Sequence, residues 1–176
     1  MDLFWRHGYA QVSVPDLSAA TGLSTSSVYN AFGSKRDLYL ITLDRYHDLT
    51  RTHMLDPMSG GHGGLDDIAA FLDRLAAAAA DPNAPRGCLI TKTIAQFGHI
   101  DAEIATRISG YLTDLKVALT AALDRAAISG HLRPVDVPGR ADALVGIVIA
   151  FNLLTGAEAP KTLTKAVLDG GRAQIR

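Results

Sequence analysis

At 176 residues the chain has room for one ordinary domain, or for a small head on a core-bearing body, and none for two large domains. Apolar residues make up 48% of it, enough for a sizeable core, which excludes a disordered or low-complexity protein. The formal charge is −1 and residues 1–55 carry five Lys/Arg against five Asp, so any binding to nucleic acid must rest on motif geometry rather than on charge.

Helical periodicity runs through the chain without an alternating β-branched stretch, and the fold class is therefore read as all-α. Met1-Asp2-Leu3 has no basic run followed by an apolar core, so no secretory leader is expected. Leu3 to His7 reads as the last turns of a first helix. Ser13-Val14-Pro15-Asp16 is a capping box with proline in its first turn; it opens a short helix that ends near Thr21, where Gly22 takes the turn. A second short helix follows Ser24 and stops at Gly33. Ser34-Lys35-Arg36-Asp37 is another capping box, opening a longer helix through Leu38, Ile41, Leu43 and Tyr46 to about Leu55. Pro57, Ser59 and the Gly60 to Gly64 run predict a flexible connection, the one obvious linker.

Beyond it, Leu65, Ile68, Leu72, Leu75 and Ala79 line one face of a helix that Asp81-Pro82-Asn83-Ala84-Pro85 ends. Gly87 to Phe97 predicts a short helix. Asp101 to Ala127 predicts a long one with Ile104, Ile108, Leu112, Leu115, Leu119 and Leu123 in register, terminated by Gly130 and Pro134. The last two helices are expected over Pro138 to Thr155 and Pro160 to Ala173. The most apolar stretch, Ala143 to Ala157, is 15 residues with Asn152 inside it, short of the roughly 20 that span a bilayer, and reads as a buried helix.

The two short helices have the pattern of a helix-turn-helix, in which one helix braces a second that enters the major groove. Leu17 points inward, Ser18 is small where the helices cross, Gly22 makes the turn, Leu23 follows it, and Val28 with Phe32 forms the buried face of the second helix. Thr25, Ser26, Tyr29 and Asn30 then face outward with Ser27 at the edge, short polar side chains suited to base edges and phosphates. Lys35 stands where its charge and the N–H groups of a helix start can hold a phosphate. On spacing alone, an ordinary helical hairpin with a polar face has the same pattern.

Phe4-Trp5-Arg6-His7-Gly8-Tyr9, then Ser13 to Ser24, then Val28 to Tyr39 closely resemble the DNA-binding head of the TetR family of regulators. The resemblance implies that Ser24 to Ala31 is the recognition helix and that Tyr29 and Lys35 touch phosphates. It also implies an Ω-shaped homodimer acting on double-stranded operator DNA, a ligand pocket in the body, no catalysis and no cofactor. Arg86-Gly87-Cys88-Leu89-Ile90, Asp101-Ala102-Glu103-Ile104-Ala105 and Gly130-His131-Leu132-Arg133-Pro134 look like one C-terminal subgroup of that family. The family begins with a fuller first helix; against that pattern at least two turns of about 3.6 residues each are absent here. The division expected is a DNA-binding head over 1–50 and a ligand-binding, dimerising body over 51–176.

The helix from Ala141 to Thr155 is apolar on nearly every side, and Ala143, Gly146 and Ala150 allow close approach. It reads either as half of a two-fold interface made with the last helix, through Leu144, Val145, Val148, Ile149 and Leu168, or as the core helix of a monomer. Met54, Met58, Phe71, Leu75, Cys88, Thr91, Ile94, Phe97, Tyr111 and Leu115 are candidates to line the pocket, and the same positions serve equally as plain core. Methionine and aromatic side chains point to an uncharged or aromatic organic effector. Cys88 is the single cysteine, which excludes an internal disulfide and fits a reducing cytoplasm; a buried thiol and a redox sensor both match it. The histidines at 7, 47, 53, 62, 99 and 131 are too scattered for a metal site. With no phosphate loop or nucleophile elbow, the reading is a regulator released from operator DNA by a small molecule. The alternative is a helical small-molecule binder that does not touch DNA, with a small all-α enzyme third.

Overall fold

The structure, a computed structural model, describes residues 1–97 and 101–176; His99 lies outside the described residues. Among them the chain forms helices and loops with no strand. Helix α1 (Asp2–Gln11) is broken at Gly8, whose φ of 77° and ψ of 166° are open to glycine and costly for other residues. α2 (Val14–Thr21) begins with the Ser13–Asp16 capping box and ends at Gly22 in the left-handed conformation, φ 70°. α3 (Thr25–Phe32) is capped by Ser24 and closed by Gly33 at φ 77°.

α4 (Lys35–Thr50) starts on the Ser34–Asp37 capping box and runs without a break into a π turn (Arg51–Leu55) and then α5 (Asp56–Ser59). Pro57 therefore lies in a helix and not in the linker expected for it, in the first turn of α5 directly after the π turn. The glycine loop that follows is held by Arg125. Its guanidinium donates to the carbonyls of Met58 and Ser59 and to the Asp67 carboxylate, which itself accepts from the Gly64 N–H.

α6 (Leu65–Ala80) buries Ile68, Phe71 and Leu72; α7 (Leu89–Phe97) follows the 81–88 loop. α8 (Ala102–Ile128), capped by Asp101, is the central post of the body and packs on α4, α5, α6, α7 and α9. Of its predicted stripe, Ile104, Ile108, Leu115, Leu119 and Leu123 are buried and Leu112 is half-buried. Gly130 and a 3-10 turn (Pro134–Asp136) lead to α9 (Val137–Gly156), and α10 (Lys161–Ala173) folds back on it. One continuous apolar core runs from Phe4 in α1 to Leu168 in α10.

Helix α9 with its leading turn, Pro134–Gly156, is 23 residues and holds an 18-residue stretch of mean hydropathy 1.5, long and apolar enough to cross a membrane by length and composition. It is thus longer than the apolar run suggested. One face of it, Ala141, Leu144, Val148, Phe151 and Thr155, is buried in the core of the same subunit. This corrects the interface read from sequence. Leu144, Val148 and Leu168 are only 0%, 2% and 4% exposed in the single chain, so a second copy cannot reach them. Val145 and Ile149 are half-buried at the margin. The open face of α9 carries Ala143, Gly146 and Leu153, and that of α10 carries Leu163, Ala166 and Gly170.

Candidate nucleic-acid interface and effector cavity

Leu17 and Val28, at 5% and 4% exposure, lock α2 against α3, and Ser18 sits half-buried at their crossing with its hydroxyl donating to the Leu23 carbonyl. Leu23 itself stays 41% exposed at the turn. The expected DNA residues divide by what their side chains already hold. The Ser24 hydroxyl accepts the Ser27 N–H at 3.1 Å and lies 2.8 Å from the Ser27 hydroxyl and 2.9 Å from that of Ser26, so the three serines share hydrogen bonds at the start of α3, Ser26 doing so while exposed. Thr25, Ser26, Tyr29 and Asn30 stand in solvent, Tyr29 with 48% of its surface exposed, and form one polar face on a helix whose other face is anchored.

Lys35 is half-buried with its ammonium over the Tyr9 ring, 4.2 Å from the centroid, a position that holds the charge close to the start of α4. Asp37 keeps the same end: its carboxylate takes the N–H and hydroxyl of Ser34, which hold its pKa below the ordinary carboxylate range. Arg36, beside it in sequence, turns the other way. It pairs with Asp101 and Glu103 at the start of α8 and ties the head to the body.

In the body a cavity of about 230 Å³ lies between α4, α6, α8, α9 and the 84–88 loop, with α1 closing one side. Phe71, Leu75 and Phe151 give it apolar walls, and Cys88, Asn152 and Thr155 add polar atoms. Tyr46 and Tyr111 also line it, and burial pushes both phenols well up, so both hydroxyls are neutral donors at any ordinary pH. The Cys88 thiol, 3% exposed, lies 3.8 Å from the Tyr111 hydroxyl.

Residues 1–40 match the family described as bacterial regulatory proteins of the tetR family, and residues 64–169 match the tetracyclin repressor-like C-terminal domain. The chain belongs to the TetR family. It is 26% identical over 137 residues to the uncharacterized HTH-type transcriptional regulator YezE of Bacillus subtilis (strain 168), covering 77% of this chain and 70% of that one. It is 46% identical over 48 residues to the HTH-type transcriptional repressor ComR of Escherichia coli (strain K12), 27% of this chain and 23% of that one. In fold it superposes on a TetR transcriptional regulator from Chloroflexus aurantiacus J-10-FL with a TM-score of 0.85 at 24% identity, over 99% of this chain and 88% of the other. It also superposes on a cysteine mutant of the regulator CifR complexed with 26-base-pair operator DNA, with a TM-score of 0.81 at 22% identity over 98% and 90%.

In this TetR-family regulator the structure places five of the expected pocket residues, Met54, Phe71, Leu75, Cys88 and Tyr111, in the cavity wall. Met58, Thr91, Ile94, Phe97 and Leu115 are elsewhere. Met58 and Leu115 are 0% exposed in the core, and the Thr91 hydroxyl turns back to the Cys88 carbonyl just before its own helix at 2.8 Å. Ile94 packs against the core from α7, and Phe97 belongs to an aromatic cluster, 5.1 Å from the Tyr9 ring and 5.7 Å from that of Tyr39. Reading the sequence missed Trp5, Tyr46, Asn152 and Thr155. Asn152 inside an apolar run was the available signal, because a polar side chain there needs a partner or a cavity. Among the described residues no group of three His, Cys, Asp or Glu is placed to hold a metal ion; His47 pairs with Asp114 at 2.9 Å.

Proposed function

We propose that this TetR-family regulator is a homodimeric repressor of the cytoplasm, which leaves its operator when an uncharged, largely aromatic molecule enters the cavity. The observation that carries the reading is the polar face of α3, Thr25, Ser26, Tyr29 and Asn30, set outward on a braced helix-turn-helix. Lys35 and Tyr29 supply phosphate contacts on either side of it. Residues 1–50 form the DNA head and 51–176 the body, which acts by binding alone. The operator complex of CifR, a protein of the same fold, supports the groove-binding part.

Two heads must stand about 34 Å apart to enter successive major grooves. The open faces of α9 and α10 suit the dimer this requires, since a Cβ added at Gly139, Gly146 or Gly170 would meet nothing within 4 Å and a partner helix can approach closely. The balanced charge of residues 1–55 favours a second reading, a small-molecule binder that does not touch DNA. A mobility-shift assay with the DNA flanking its own gene separates the two. Retardation competed by that duplex and not by unrelated DNA is expected; equal retardation of every duplex, or none, sinks the operator reading.

A further inference from the structure

Trp5 lies in the head by sequence and in the cavity by geometry. Its indole forms part of the cavity wall, meets Tyr46 edge-on with ring centres 4.9 Å apart, and donates Nε1–H to the Gly87 carbonyl at 2.9 Å. Gly87 cannot give way, because it is wedged against the α9 backbone at Asn152 and Gly156. The facing walls are as firm: Phe71, Tyr111 and Phe151 are 2%, 5% and 4% exposed and rooted in the core. Trp5 is half-buried, on a helix that breaks three residues later at Gly8. Phe4 anchors α1 in the core at 1% exposure, so what yields when the cavity has to widen is the Trp5 ring and the segment from Arg6 to the break at Gly8.

The same short helix reaches the DNA-facing side. Lys92 of α7 donates to the Trp5 carbonyl at 2.8 Å, and the Gln96 amide oxygen accepts the Tyr9 N–H at 3.0 Å, so α7 clamps α1 on both sides of its break. Tyr9 is the ring on which the Lys35 ammonium rests. One side chain at each end of α1 therefore joins the cavity to a candidate phosphate contact.

The cavity also selects its occupant. Among the described residues no Lys, Arg, His, Asp or Glu side chain lines it, so no side chain there compensates a charge taken out of water. An apolar cavity of about 150 Å³ holds benzene. At about 230 Å³ this one has room for further ring atoms, with the Tyr46 and Tyr111 hydroxyls to meet a polar substituent.

We infer that the effector is a neutral molecule of one or two aromatic rings, and that it acts by driving Trp5 and α1 off α7, which carries Tyr9 and Lys35 out of place. The inference rests on the cavity being the effector site. Linkage makes it testable away from the cavity: if binding must open the α1–α7 clamp, loosening the clamp tightens binding by the same factor. Gln96 is exposed and lies outside the cavity wall, so Gln96→Ala leaves the fold and the site intact. Calorimetric titration with 2-naphthol should give an affinity about threefold to tenfold higher for Gln96→Ala than for the unaltered protein, the worth of one hydrogen bond. Hydrogen exchange should show the Arg6 to Tyr9 amides opening at least tenfold faster when 2-naphthol is bound. Trp5→Phe, which frees the Gly87 carbonyl, should open the same amides without the probe and abolish the probe's further effect. No heat with either the unaltered protein or Gln96→Ala overturns the cavity reading and the inference together. Binding of equal or lower affinity to Gln96→Ala, with α1 exchange unchanged, overturns the α1 route and leaves the cavity reading standing.

Discussion

Arg36 at the start of α4 donates to both carboxylate oxygens of Asp101 at the start of α8, at 2.7 and 2.8 Å, while Asp101 also accepts the Glu103 and Ile104 N–H groups as the α8 cap. The Arg36 bonds, with the Ile104 N–H next, hold the Asp101 carboxyl down to about 2 from an ordinary 3.8. A carboxylate depressed in the folded state stabilises above its unfolded value and loses that effect as pH falls through the folded one. The tie between head and body should therefore be complete above pH 4 and fail between about 4 and 2. Asp101→Asn keeps a capping oxygen and removes the charge. Hydrogen exchange in the first turn of α4 should be faster in this variant at neutral pH, and its acid response should shrink to the part that belongs to Asp37, whose depressed carboxylate caps the same turn. An acid response identical to that of the unaltered protein would show that another carboxylate controls it.

Assembly is tested at Gly146 rather than Val148. Val148 is 2% exposed inside its own subunit, so Val148→Asp should cost about 3–5 kcal/mol and unfold the chain, reporting nothing about a partner. A side chain at Gly146 meets nothing within 4 Å, and Gly to Glu in a helix gains about 0.5 kcal/mol of propensity. Gly146→Glu should then run as a folded monomer of unchanged or raised thermal stability in light scattering, beside a dimeric unaltered protein. A dimer that survives this change places the interface elsewhere.

The two halves of DNA recognition should come apart by substitution. Lys35→Ala is expected to weaken every duplex alike and to lower the salt slope by about 1. Asn30→Ala should instead cost about 1–3 kcal/mol on particular base pairs of the operator and little on unrelated DNA. Uniform losses from both, measured as mobility shifts over a range of salt, would contradict the division.

Local chemistry was readable in the sequence to the residue. Ser13–Asp16, Ser34–Asp37, Gly22 and Gly33 each act through neighbours within a turn or two, and the structure has each where the pattern put it. Facing was harder. Past Asp142, α9 is apolar on nearly every side, so Leu144 and Val148 could not be told from its open side, which carries the small residues Ala143 and Gly146. Trp5 escaped for the opposite reason. It is 82 residues from its Gly87 acceptor, and no periodicity connects a head helix to a loop before α7.

The same contrast predicts how two glycines with the same positive φ differ. Gly22 and Gly87 both have a φ of 70°. At Gly22 a Cβ would meet nothing within 4 Å, so Gly22→Ala should cost only the left-handed conformation, about 1–2 kcal/mol. At Gly87 it would stand 2.5 Å from the Asn152 carbonyl oxygen and 3.0 Å from the Gly156 Cα, both backbone atoms of a core helix that cannot rotate away. Gly87→Ala should add about 1–3 kcal/mol of overpacking to the cost of its own positive φ. It should also push the 84–88 loop out and break the Trp5 bond that closes the cavity. Urea denaturation of the two variants isolates the packing cost, and the native emission of Trp5, the single tryptophan, should shift in Gly87→Ala and stay put in Gly22→Ala. Equal losses of stability with no spectral change would mean that α9 does not press on Gly87, and would remove the firm anchor on which the closing of the cavity by α1 depends.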